Sequence, residues 1–266
     1  LGPMLHEFNW GQDEYDKIAS GTLAGHIIEC GAQCTGGNHT KWINVPNIEK
    51  IGYPIINITA DSNFTITKNI DTGGLINKYT VCEQVLYEMG DPSNYISPDV
   101  CVDFTSFDII DNENNSVTIK NTKGFKPTDT YKVSISYLAG YKATGQLTIS
   151  APNSYEKAKK TANIIWTRLK DLGFIYDDIN TEYLGLTNCH DEYIKNNISE
   201  VVLRLSVKDK NKSKIERFSK EIAPVITNGL PGITGFSGGR PKVQEIISYW
   251  PTLIPKEYIK TSVKII

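Results

Sequence analysis

His26, Glu29, Cys30 and Gln33 stand at i, i+3, i+4 and i+7, a spacing that lines four polar side chains along one stripe of an α-helix. Leu23, Ala24, Ile27, Ile28 and Ala32 around them are apolar or small, so the helix is expected to be buried on most sides. A polar stripe on such a helix needs partners, because an unpaired buried polar group costs about 1–3 kcal/mol. A hydrogen-bonded interior network and a functional pocket both satisfy that need. In the pocket reading, burial moves His26 or Glu29 toward a working range for proton transfer, with Cys30 and Gln33 contacting the ligand. His26, Cys30, Cys34 and His39 also carry zinc-compatible atoms, but their intervals form no paired C-x2-C knuckle. No metal is expected.

Two glycine pairs follow. Thr35-Gly36-Gly37-Asn38 closes the first helix and Thr72-Gly73-Gly74 precedes a second. Either pair is able to offer backbone N–H groups to an anion, the second with a helix dipole behind it. A turn that simply requires positive φ explains each equally well. Lys68, just upstream of the second pair, suits a phosphate or carboxylate. In the second helix Glu83, Gln84, Tyr87 and Glu88 oppose Val81, Val85 and Met89. Glu83 is thus a third proton-transfer candidate, although a solvated face accounts for the pattern too. Near the other end, Gly238-Gly239-Arg240-Pro241 is a turn that would set Arg240 against an acid group. Asp99 and Asp103, about 13 Å apart along a strand, are too distant to share a proton. The run Cys189-His190-Asp191 reads as a loop coincidence, since adjacent side chains point apart.

The elements that must hold these residues are legible from periodicity. The first helix is expected over 13–33 and the second over 78–89, stopped by Gly90-Asp91-Pro92. Ile55–Ala60 and Phe64–Lys68 flank a turn at Asp61-Ser62-Asn63 and read as a hairpin. Residues 99–150 alternate as a β-meander, with a hairpin reversal expected at Ala139-Gly140. Beyond it come a helix capped at Asn153 or Ser154 with Gly173 as its stop, strands over 179–185 and 200–208, and a helix over 213–228 that Pro224 kinks or shortens. Strands over 243–250 and 258–266 close the chain. The predicted fold is α+β: a Gly-rich mixed α/β front domain over 1–140 carrying the pocket, followed by a ferredoxin-like βαββαβ domain over 141–266.

Composition excludes several classes. The 266 residues hold 28 basic and 30 acidic side chains, without the basic density of a nucleic-acid footprint. No apolar run is long enough for a transmembrane helix, and no signal-peptide pattern opens the chain. Five scattered cysteines do not form a secreted disulfide framework, and the Asn-X-Ser/Thr triplets suit the high Asn content. A soluble protein of the reducing cytoplasm is expected. The P-loop, the G-x-G-x-x-G motif and H-E-x-x-H are all absent, and no cofactor is indicated. The opening Leu1-Gly2-Pro3 lacks an initiator Met and suggests the interior of a longer protein.

Several clusters resemble the acyclic terpene utilisation family, AtuA. They are Leu1-Gly2-Pro3 with His6-Glu7-Phe8 and Trp10, the stretch Gly21-Thr22-Leu23-Ala24-Gly25-His26, and Glu29-Cys30-Gly31-Ala32-Gln33 with Thr35-Gly36-Gly37. Thr72-Gly73-Gly74, Glu83-Gln84, Tyr87-Glu88, Gly90-Asp91-Pro92, Pro98-Asp99-Val100, Asp103-Phe104, Tyr131-Lys132-Val133 and Gly238-Gly239-Arg240-Pro241 extend the resemblance along nearly the whole chain. It implies a role in bacterial breakdown of branched terpenes such as citronellol and geraniol through acyl-CoA intermediates. It implies no established catalytic residues, and family members look longer at the front, so an upstream α/β segment is expected ahead of these residues.

Three functions compete. The first is a lyase or hydratase acting on a branched acyl-CoA or related acid, its small-molecule substrate. The second is a non-catalytic subunit that docks through its ferredoxin-like sheet, and the third a sensor without turnover. Neither a nucleic acid nor a membrane is an expected partner. A homo-oligomer, or pairing with the upstream segment, is.

Overall fold

The computed structural model describes residues 1–186, 189, 198–235, 238–262 and 264. It is a mixed α+β structure with several antiparallel sheets. Contacts divide it into two units, Leu1–Tyr131 with Leu253–Ile266, and Lys132–Thr252. The boundary expected at 140/141 therefore falls inside the second unit. No helix among the described residues is long and apolar enough to cross a membrane.

In the first unit, α1 (Gly2–Glu7) begins with Pro3 in its first turn, where a missing N–H costs nothing. It lies against α2 (Tyr15–Glu29), whose Gly21 leaves room for Leu1, Met4 and Trp10. Ile18, Leu23, Ala24 and Ile27 of α2 are buried, each larger side chain contributing about 1.5–3 kcal/mol. The expected helix over 13–33 breaks at Gly31, which takes φ +67°, and only a short 3-10 turn follows over Gly31–Gln33. Gln33 thus leaves the stripe that His26 and Glu29 occupy.

The expected hairpin forms from β1 (Pro54–Ile58) and β2 (Phe64–Lys68) in antiparallel register. The carboxylate of Asp61 closes its turn by accepting from Thr59 Oγ1 and from the Asn63 side chain and N–H. The second helix, α3 (Lys78–Val85), opens on a capping box: Asn77 accepts from the N–H groups of Tyr79 and Thr80, and Thr80 Oγ1 accepts from Asn77 N–H. It ends four residues before the expected Met89, and Glu88 turns to φ +55°. Tyr87 and Glu88 consequently lie beyond the helix that carries Glu83.

Short strands complete this unit. They are β3 (Tyr95–Ile96), β4 (Cys101–Asp103), β5 (Asp108–Asn112), β6 (Ser116–Lys120) and β7 (Lys123–Phe125). One sheet has the order β1-β2-β6-β5 and another β3-β4-β7. Gly124 permits β7 to meet the start of α2, where Asp16 accepts from Gly124 N–H at 2.9 Å and pairs with Lys123 at 2.8 Å.

The second unit is organised on β8 (Thr130–Ser150), one strand of 21 residues. The reversal expected at Ala139-Gly140 does not occur. Gly140 takes φ +142° and passes within 3.0 Å, measured from its ideal Cβ, of the Asp209 carbonyl oxygen, so the chain continues along a neighbouring strand. α4 (Ser154–Asp171) buries Ala158, Ala162, Ile165 and Leu169, the stripe that its periodicity requires. Next come β9 (Asp178–Leu184), β10 (Glu200–Asp209), α5 (Lys212–Glu221) and α6 (Val225–Asn228), the last starting after Pro224. β11 (Ile233–Gly235) and β12 (Gln244–Pro255) both pair with β8.

The strand order is β11-β8-β10-β9, with antiparallel neighbours throughout. Alternate residues Val201, Leu203, Leu205 and Val207 of β10 join α4 and α5 in one core with Leu147 and Ile149 of β8. The closing strand expected over 258–266 is absent among the described residues. Lys256–Tyr258 is a 3-10 turn and residues 259–262 are irregular, whereas Val263, Ile265 and Ile266 lie outside the described set.

Candidate functional site

His26 emerges from the last turn of α2 with its side chain 9% exposed. Its Nε2 lies 3.1 Å from the Val85 carbonyl oxygen at the end of α3, so that nitrogen is the donor. The ring stacks on Phe104 at 5.7 Å, and Phe104 stacks on Tyr95 at 5.0 Å. Glu29 faces His26 Nδ1 only at 3.9 Å and is 70% exposed. The polar stripe therefore runs from a buried imidazole out to solvent, instead of forming one buried set. Cys30 is exposed. It lies near Tyr87, whose hydroxyl pKa is raised by the neighbouring Glu88 charge and then by Cys30.

Between α2 and α3 the side chains interlock. Gln84, fully buried, donates Nε2 to the His26 carbonyl at 3.0 Å, while its Oε1 has no partner among the described residues. Gln33 donates to the Glu83 carbonyl at 3.2 Å. Glu83 itself turns toward the glycine turn, where His39 Nδ1 lies 2.9 Å from its Oε1. A carboxylate only accepts, so His39 donates there. The side chain of His39 is 10% exposed and that of Glu83 31%, leaving the carboxylate within reach of water and the imidazole held.

The two glycine pairs meet. Leu75 N–H donates to the Thr35 carbonyl at 2.8 Å, and Thr35 Oγ1 donates to the Gly52 carbonyl at 2.5 Å. Backbone oxygens already take all four of the N–H groups that an anion cradle would use. Gly36 donates to Gln33, Gly37 to Ala32, Gly73 to Lys50 and Gly74 to Pro46. The glycines serve close approach instead. A Cβ on Gly73 would overlap the Asn47 carbonyl, and one on Gly74 would lie 2.6 Å from the Thr35 oxygen. Lys68 likewise turns inward, Nζ donating to the Thr72 carbonyl at 2.7 Å. Arg240 belongs to the second unit, where it is exposed.

Among the described residues no group of three or more His, Cys, Asp or Glu side chains is placed to hold a metal ion. Cys34 is buried, and burial pushes its thiol up to about 12, which keeps it protonated. Of the run Cys189-His190-Asp191, the last two residues lie outside the described set. The side chain that reading from the sequence misplaced is His39, weighed only as a metal ligand. Its partner Glu83 is 44 positions away, and no local spacing reports such a pairing.

No curated protein and no solved structure matches the chain. The model of the family described as acyclic terpene utilisation family protein AtuA matches residues 1–265, so the chain belongs to the AtuA family, and that membership implies a role in acyclic terpene utilisation.

Proposed function

We propose that this protein is a lyase or hydratase acting on a branched acyl-CoA or a related branched acid, with Glu83 as the proton-transfer group and His39 as the residue that positions it. The observation that carries the reading is the 2.9 Å His39–Glu83 contact, with a carboxylate that water reaches and an imidazole that it scarcely does. In the hydration direction Glu83 takes a proton from water as the oxygen adds to the β-carbon of a conjugated thioester and then gives that proton to the α-carbon, so that one water adds across the double bond and the carboxylate is regenerated. A positioned acid or base of this kind contributes about 10²–10⁴-fold. His26 and Glu29 belong to the same site: His26 braces α2 on α3 and Glu29 stands at the solvent side. In this reading Cys30, which is exposed, and Gln33, which donates to the Glu83 carbonyl, contact the ligand.

The test is turnover of 3-methylbut-2-enoyl-CoA by the full chain, followed by loss of the conjugated thioester absorbance. Glu83→Gln should lower the rate at least 100-fold with an unchanged circular dichroism spectrum, and His39→Gln should lower it less. Wild-type rates in Glu83→Gln would sink the reading, as would a wild-type protein that neither turns over nor is thermally stabilised by this thioester.

The core of the second unit is read as ferredoxin-like, supported by the order β11-β8-β10-β9 around two helices. A second function, assembly through this sheet, is favoured by the apolar side chains that β8 and β12 expose, among them Tyr137, Leu138, Ile247 and Trp250. Light scattering decides it: an oligomer that Trp250→Glu with Ile247→Lys dissociates supports assembly, and a monomeric wild type rejects it.

A further inference from the structure

The second unit contains two adjoining grooves that share a wall. One, of about 230 Å³, is bordered by Thr144 and Gln146 of β8 and by Gly238–Lys242. The other, of about 190 Å³, lies against Leu147, Ile222 and Ile226. Gln146, Gly239 and Arg240 line both.

The strand pattern creates this space. β11 pairs with β8 only at Leu147–Ile149, and β12 lies farther along the strand, where Tyr249 accepts a hydrogen bond from Ser134. The chain between β11 and β12 passes β8 at Gly145. A Cβ on Gly145 would lie 2.8 Å from Ile222 Cγ1 and 3.1 Å from Pro241 Cγ, so a larger residue would disturb the wall between the grooves. Gly239, at φ +75°, turns the chain so that Arg240 borders both.

The chemistry of the two grooves differs. Arg240 and Lys242 are exposed cations, and among the described residues neither forms a hydrogen bond or an ion pair. Among the described residues the Gln146 amide is uncommitted as well. The second groove is apolar, with Leu147 and Ile222 buried and Ile226 39% exposed. We propose that the two grooves together bind a small carboxylate carrying a short apolar chain. Its head group takes the fork of Arg240 and the charge of Lys242, and its chain lies along Leu147, Ile222 and Ile226. This site lies in a different unit from Glu83 and does not depend on the proton-transfer reading.

Calorimetric titration of the full chain with octanoate, below its micelle concentration, tests the site. Saturable binding at one site is expected, at least tenfold weaker in Arg240→Gln and in Ile226→Glu. Lys242→Gln should weaken it less. Acetate and inorganic phosphate, which supply only a head group, and 1-octanol, which supplies only a chain, should each bind at least tenfold more weakly than octanoate. All three substitutions are at exposed positions, and thermal unfolding within a few degrees of wild type verifies their fold. No octanoate binding by the wild type, equal binding by Arg240→Gln, or equal binding of acetate, phosphate or octanol would overturn the proposal. None of these outcomes bears on turnover by Glu83.

Discussion

His39 Nδ1 lies 2.9 Å from Glu83 Oε1, tying the turn after α2 to the middle of α3. Gln33 reinforces the same join by donating to the Glu83 carbonyl. This contact should be energetic as well as geometric. A double-mutant cycle with His39→Ala and Glu83→Ala, followed by urea unfolding, is expected to give a coupling of about 1 kcal/mol. Strictly additive losses would show that the pair does not interact in solution.

Gly73 and Gly25 should respond oppositely to alanine. Gly73→Ala drives a Cβ into the Asn47 backbone, which no rotamer change relieves, and should cost about 3 kcal/mol or more. Gly25 lies inside α2 with nothing within 4 Å of an added Cβ. Gly25→Ala should stabilise by about 0.5–1 kcal/mol. Denaturant midpoints measured on both variants check the pair.

Cysteine labelling should follow burial. Cys30 and Cys189 are exposed, whereas Cys34 is buried with its thiol pushed up to about 12. At pH 8, iodoacetamide followed by peptide mass mapping should modify Cys30 and Cys189 in the native protein and Cys34 only after unfolding. Native labelling of Cys34 at a rate comparable with Cys30 would contradict its placement.

Asp209 makes stability depend on acid. Burial raises its carboxyl pKa, but the Lys214 ammonium at 2.7 Å and the Asn211 N–H at 2.8 Å outweigh it, and the net shift is downward. A depressed carboxyl stabilises the fold fully above its unfolded pKa, about 3.9, and loses that contribution as pH falls through the folded value. Asp209→Asn should therefore lie furthest below wild type in Tm above about pH 5, and the gap should narrow toward pH 3. A gap that is constant with pH would exclude this linkage.

What the amino-acid order determined by itself was local. The period of 3.6 in α4, the alternation of Val201, Leu203, Leu205 and Val207, and the Asp61-Ser62-Asn63 turn follow from short-range sterics and burial. The sequence also marked the region from His26 to Gly37 as a candidate site. Tertiary structure alone decided what that region does with its polar groups. It broke the helix at Gly31 and exposed Glu29, and it spent the four glycine N–H groups on backbone oxygens. It also carried β8 straight through Gly140, where a neighbouring strand was available to pair with. The reason is common to all these cases. A hydrogen bond between distant residues depends on where the chain returns, and neither the Glu83 partner of His39 nor the backbone partners of the glycines are encoded in any window that contains only one of them.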